Sequence, residues 1–120
     1  MATYSKHKLS ESTLGKQIKV AATATPGTLI HTAVAAHGDT DKQDEVWIYA
    51  SNQHTSFVAL TIEFGGISDP DDLITVTVPS KSGLILVIPG LILYGSIHVR
   101  AFAGTTNKIL LSGYVNRIAT

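Results

Sequence analysis

An all-β fold is what the sequence predicts: an eight-stranded antiparallel β-sandwich of jelly-roll or immunoglobulin-like type, preceded by an extended N-terminal arm. Three observations predict it. From Gln17 onward, short segments rich in Val, Ile, Thr, Leu and aromatic residues are separated by clusters of Gly, Pro, Asn, Asp and Ser, at a spacing of roughly ten residues. Within several of these segments apolar and polar residues alternate with the period of a strand. No stretch of comparable length carries the 3.6-residue apolar period of a helix.

The first sixteen residues are polar, carry Lys6, Lys8 and Lys16 against the single acid Glu11, and show no sustained apolar period. They read as an arm, residues 1–16, in which Ser10 to Leu14 could form a short helical turn. An arm of this kind either stays disordered, as termini do unless tied down, or orders along a neighbouring subunit, with Tyr4, Leu9 and Leu14 as its anchors. Residues 17–120 form the sandwich domain. Its candidate strands are Gln17 to Thr23, Thr28 to Ala35, Glu45 to Ser51, Phe57 to Phe64, Ile74 to Val78, Leu84 to Ile88, Ile97 to Ala103 and Lys108 to Arg117.

Alternation assigns faces. In EVWIYAS, Val46, Ile48 and Ala50 share one face, leaving Glu45, Trp47, Tyr49 and Ser51 on the other. In FVALTIEF, Val58, Leu60, Ile62 and Phe64 oppose Phe57, Ala59, Thr61 and Glu63. The intervening SNQHTS predicts an antiparallel hairpin. In SIHVRAFA, Ile97, Val99, Ala101 and Ala103 form the apolar face and His98, Arg100 and Phe102 the other, and GTTN predicts a second hairpin into KILLSGYVNR. GLILVIPG does not alternate, so its strand is expected to be covered on both faces, by the domain's own core and by a loop or another subunit. That places Leu84, Leu86 and Ile88 at a candidate oligomer interface.

Composition narrows the function classes. Nine basic residues balance nine acidic ones, charged residues make up only 15% of the chain, and the net charge is zero. The basic excess that draws proteins to nucleic acid or anionic lipid is missing, so neither partner is expected. The most apolar stretch, Leu84 to Tyr94, is about half the length of a membrane-spanning helix and is broken by Pro89 and Gly90. The opening MATYSKHKLSESTLGKQIKV lacks the apolar core of a signal peptide. With no cysteine, the chain has no disulfide, thiolate nucleophile or cysteine-based metal site.

The remaining chemistry fails on spacing. No G-x-S-x-G elbow is present, and Ser82 and Ser112, each before a glycine, lie in ordinary strand or turn contexts. No pair of carboxylates stands out for glycoside hydrolysis. GDTDKQDE sets Asp39, Asp41, Asp44 and Glu45 together, but it lacks the sixth-position glycine of a calcium loop and has Ala50 where a bidentate Glu is needed, so a solvated polar turn accounts for it. SDPDD, with Asp69, Asp71 and Asp72 around Pro70, fits a tight turn. The five histidines His7, His31, His37, His54 and His98 have no metal-ligand spacing. Neither GGIS nor AGTTNK has the Lys leading into a helix that a phosphate cradle uses. No catalytic residue, metal or cofactor is therefore expected. His98, Arg100 and Phe102 on one strand, with Trp47 and Tyr49 on another, make better sense as protein contact surface, since aromatics and Arg are enriched at interface centres. A second core layer within the domain is the alternative for Trp47 and Tyr49.

From about Pro26 to Ile118 the chain resembles the small β-sandwich virion proteins of tailed bacteriophages, of the capsid decoration (cement) type. The residues that carry the resemblance are EVWIYASN (45–52), LTIEFGG (60–66), SDPDDLI (68–74), VPSKSGLILVIPG (78–90) and GYVNRI (113–118). These are patterns of fold and surface, not catalytic motifs. The resemblance implies a non-enzymatic structural subunit on the capsid exterior, assembled in the host cytoplasm. Its partners would be the major capsid protein and copies of itself, with a trimer favoured, and it carries over no active-site residues. Two other readings are a head–tail connector, tail or fibre subunit of the virion, and a carbohydrate-binding module in which Trp47, Tyr49 and Tyr94 stack on sugar rings.

Overall fold

Nine strands and no helix form among the described residues, 2–36 and 41–119, of the computed structural model. In chain order they are β1 (Thr3–Lys8), β2 (Ile18–Lys19), β3 (Thr28–Thr32), β4 (Lys42–Asn52), β5 (Val58–Phe64), β6 (Leu73–Val78), β7 (Ile85–Leu93), β8 (His98–Ala103) and β9 (Ile109–Ala119). They make two antiparallel sheets. In the five-stranded sheet β1 and β2 both pair with β9, which pairs with β4, which pairs with β7; the four-stranded sheet runs β3-β8-β5-β6.

The alternation read from the sequence sets which side of each strand is buried. Val46, Ile48 and Ala50 of β4, Ile109, Leu111 and Val115 of β9 and Ile88 of β7 join Leu60 and Ile62 of β5, Val99 and Ala101 of β8 and Ile30 of β3 in one cluster shared by the two sheets. All of these are fully buried. Each Val, Leu or Ile among them contributes roughly 1.5–3 kcal/mol by leaving water.

Strand neighbours differ from expectation. Glu45 to Ser51 and Phe57 to Phe64, expected as a hairpin, lie in different sheets, and so do Ile97 to Ala103 and Lys108 to Arg117. At the first junction the reason is Asn52, which is fully buried. Its Nδ2 donates to Ser56 O at 3.1 Å and Val78 O at 2.9 Å, and its Oδ1 accepts from His54 N at 2.8 Å. A side chain thus satisfies the backbone of a corner that carries the chain across the core instead of back along β4. At the second junction, the Gly104 amide donates to Ala59 O and the Asn107 amide to Val20 O, so the turn is tied to its surroundings and not to its own two strands. Both arrangements let consecutive strands bury their apolar faces in one core from opposite sides.

Three boundaries also move. Gln17 to Thr23 shrinks to the two residues of β2, because the Ala21 and Ala22 amides donate to Thr28 Oγ1 instead of to a ladder. Thr28 to Ala35 ends at Thr32. Leu84 to Ile88 instead continues to Leu93, through Pro89 and Gly90. Proline is tolerated there because β7 is an edge strand. Gly90 has φ +79°, and a Cβ on it would stand 2.7 Å from Cζ2 of Trp47, so the bulge at this point admits only glycine.

The arm expected over residues 1–16 enters the fold. β1 pairs along the end of β9, from Thr3 opposite Ala119 to Lys8 opposite Tyr114. The chain then crosses to the four-stranded sheet, where the Glu11 amide donates to Ile30 O and the Thr32 amide to Ser10 Oγ. Leu9, expected as an anchor on a neighbour, is 1% exposed and belongs to this chain's own core. A polar sequence hides this role because β1 pairs through its backbone, its six side chains remaining exposed, and a single leucine supplies the plug.

Candidate functional site

Two features stand out from the fold, a buried polar cluster and an uncovered outer sheet face. The cluster centres on Asp44, whose side chain is fully buried on β4. Its Oδ2 accepts from His31 Nε2 at 2.8 Å, Val34 N at 3.0 Å and Arg117 Nη2 at 3.2 Å, and its Oδ1 accepts from Arg117 Nε at 2.8 Å. His31 Nδ1 in turn accepts the Ser10 amide at 3.0 Å. That acceptor role assigns the ring proton to Nε2, facing the carboxylate. Four segments, from the N-terminal crossing, β3, β4 and β9, are thereby joined through one carboxylate. The solvated turn expected of GDTDKQDE is corrected for its last two acids, which lie in β4 with Asp44 turned inward and Glu45 outward. Asp39 and His37 lie outside the described residues.

Burial pushes the Asp44 carboxyl up, but hydrogen bonds from His31 and Arg117, together with the Arg117 charge, outweigh it and hold the group at about 2. The folded value lies below the ordinary 3.8, so the stabilisation is fully present above about pH 4 and is lost as pH falls through 2. Between pH 5 and pH 2, urea unfolding should show the wild type losing about 2 kcal/mol more than Asp44→Asn. Parallel losses in the two proteins would contradict the assignment.

Although His31 and Asp44 have the spacing of an acid–base pair, no nucleophile completes them among the described residues. His31 is 1% exposed and its second nitrogen is occupied by a backbone amide. The cluster is a structural tie. Among the described residues, no group of three or more metal-ligating side chains comes together. In SDPDD, Asp72 Oδ2 accepts from Ser68 N and the Asp72 amide donates back to Ser68 O, closing the turn on itself.

The second feature is the outer face of the five-stranded sheet. Register places Trp47 opposite Tyr114, Glu45 opposite Asn116, and Tyr49 opposite both Ser112 and Leu86. The Trp47 and Tyr114 rings stack with centroids 6.2 Å apart, and Lys6 Nζ lies 4.6 Å from the Tyr114 ring centre. Glu45 Oε1 accepts from Trp47 Nε1 at 2.7 Å and Asn116 Nδ2 at 3.0 Å, which holds its carboxyl below the ordinary value. Trp47 and Tyr49 are half-buried, Leu86 is 43% and Leu84 60% exposed, and Tyr4 stands out from β1 at the far edge.

The structure thus gathers Tyr4, Trp47, Tyr49 and Leu86 on one side of the molecule, with Leu84 exposed just before β7. Ile88, expected at an interface, is instead fully buried by the chain's own core, because the bulges in β7 turn it inward. Leu14 is exposed in the turn before β2. His98, Arg100 and Phe102 lie on the other sheet and do not join the aromatic face. His98 and Arg100 line a cleft of about 270 Å³ with Gly65, Gly66, Ile67 and Ile97. Tyr114 and Lys6 were missed as members of the aromatic face, since only the β1–β9–β4 register brings them to Trp47. Comparison of the chain with protein-family models, curated proteins and solved structures finds no match.

Proposed function

We propose that this chain is a structural subunit of a tailed-bacteriophage virion, a capsid decoration protein on a jelly-roll sandwich that stabilises the head through the major capsid protein and its own copies. The strand orders support the fold half of this reading. One sheet runs β2-β9-β4-β7 and the other β3-β8-β5-β6, the strand orders that two Greek keys produce. For the function, the observation that carries the reading is the outer face around Trp47, Tyr49, Tyr114 and Leu86. An apolar aromatic surface rimmed by Lys6 and Glu45 is what a protein contact of mixed polarity requires. Near-zero net charge lets many copies crowd on a lattice without mutual repulsion. Multiple copies on a repeating surface also make a modest single-site affinity sufficient.

Co-sedimentation with expanded tailed-phage heads tests this. The wild type should bind saturably, and Leu86→Asp, with an unchanged circular dichroism spectrum, should bind at least tenfold more weakly. A folded protein indifferent to heads would remove the proposal. Glycan binding that disappears in Trp47→Ala would favour the carbohydrate-binding alternative, against which the indole is already engaged by Tyr114, Glu45 and the Gly90 bulge.

A further inference from the structure

The edges of the two sheets are not alike. An open edge presents unpaired backbone groups, and proteins guard such edges with charge, proline, bulges or a covering segment. β1 carries Lys6, His7 and Lys8. β7 contains Pro89 and two register shifts. β3 is covered by Ser10 and Glu11, which bond to Thr32 and Ile30. β6, LITVTV, has none of these devices, and among the described residues nothing pairs with its outer side.

Its backbone polarity can be worked out. Ile62 stands opposite Ile74, Leu60 opposite Val76 and Val58 opposite Val78. One step further along the same series, Phe64 N donates to Asp72 O at 2.8 Å, which marks these as the hydrogen-bonded pairs. Thr75 and Thr77 therefore turn their N–H and C=O groups to the open edge, and Leu73 its C=O.

We propose that β6 pairs antiparallel with β6 of a second copy about a twofold axis at Val76, joining two four-stranded sheets into one. This contact does not depend on the capsid reading. In this register Thr75 of each copy faces Thr77 of the other and exchanges both backbone bonds, while Ile74 meets Val78 and Val76 meets its own counterpart. At each end Leu73 faces Pro79. Proline has no amide, and the Leu73 amide is already given to Pro70 O, so the ladder stops without stranding a donor. Beyond the strands, exposed Asp71 and exposed Lys81 sit in the turns at opposite ends of β6, so the twofold brings the acidic end of each copy toward the basic end of the other. Moving the axis to Thr75 loses that match and sets the spent Leu73 amide against Thr77.

Sedimentation velocity on the full chain should show a dimer. Thr75→Pro removes an edge-facing amide that β5 does not use, so it should give a folded monomer. Asp71→Lys and Lys81→Glu should each weaken the dimer at least tenfold, and the double swap should restore it. Because the chain has no cysteine, Val76→Cys gives an unambiguous register test. Opposed residues at a non-hydrogen-bonded pair have Cα atoms about 4.5 Å apart, within disulfide reach. Val76→Cys should therefore link into a covalent dimer on oxidation, and Thr75→Cys should not. A monomeric wild type, a dimer that survives Thr75→Pro but is dissociated by Leu86→Asp, or a folded Val76→Cys protein that stays unlinked would each overturn the proposal.

Discussion

Replacing Asp44 with alanine is expected to lower the unfolding free energy by about 3–5 kcal/mol, among the largest effects of any single substitution in this chain. The cost comes from what remains. His31 would keep a ring N–H inside the protein with nothing to accept it, and the Val34 amide would lose its acceptor. Arg117, less than a third exposed, would keep a charge whose counterion had gone. Asp44→Asn keeps the volume and one acceptor, so it should lose less, and the difference between the two variants measures the charge. Equilibrium denaturation in urea near pH 7 reads both. An Asp44→Ala protein within 1 kcal/mol of wild type would mean that the cluster is hydrated and does not tie the sheets together.

Removing residues 2–15 is expected to abolish cooperative unfolding at 25 °C. Loss of Leu9 alone leaves a core vacancy worth about 2–5 kcal/mol. The same deletion strips β1 from β9, uncovers the edge of β3 and takes the Ser10 amide from His31. Against a total stability of roughly 5–15 kcal/mol, the combined loss leaves little folded protein. A thermal melt followed by circular dichroism, together with amide dispersion in a nitrogen–proton correlation spectrum, will register it. A dispensable arm, which is what the polar composition of residues 1–16 suggests, would leave both unchanged.

The contrast shows which physics a single sequence exposes. Side-chain alternation is written residue by residue, so the buried faces of β4, β5 and β8 could be read directly from Val46 to Ala50, Val58 to Ile62 and Val99 to Ala103. Backbone pairing is not written in side chains. β1 buries no side chain, and its place beside β9 is therefore silent in its composition. Turn chemistry has a similar blind spot: SNQHTS suits a hairpin as well as a corner, and only the burial of Asn52 between Ser56 and Val78 decides it. Glu63 illustrates a third case. Alternation assigns it to an outer face, yet it is fully buried because the loop before β3 folds over it, with Thr25 Oγ1 and the Gly27 amide donating to its carboxylate. The aromatic face was half legible, since Trp47, Tyr49 and Leu86 follow from strand parity, whereas the stacking of Tyr114 and the placement of Lys6 depend on partners distant in sequence.

One feature of the strand order bears on how the chain reaches this state. Among the described residues, β5 and β6 are the only sequence neighbours that pair with each other; every other ladder joins segments separated by at least one intervening strand. Most ordering must therefore precede its reward, because distant segments have to meet before their bonds form. Such topologies assemble in milliseconds to seconds, not microseconds. Among the described strands the β5–β6 hairpin is the place where a nucleus can form locally, and the ribosome releases it well before β8 and β9, the partners that complete the two sheets around it.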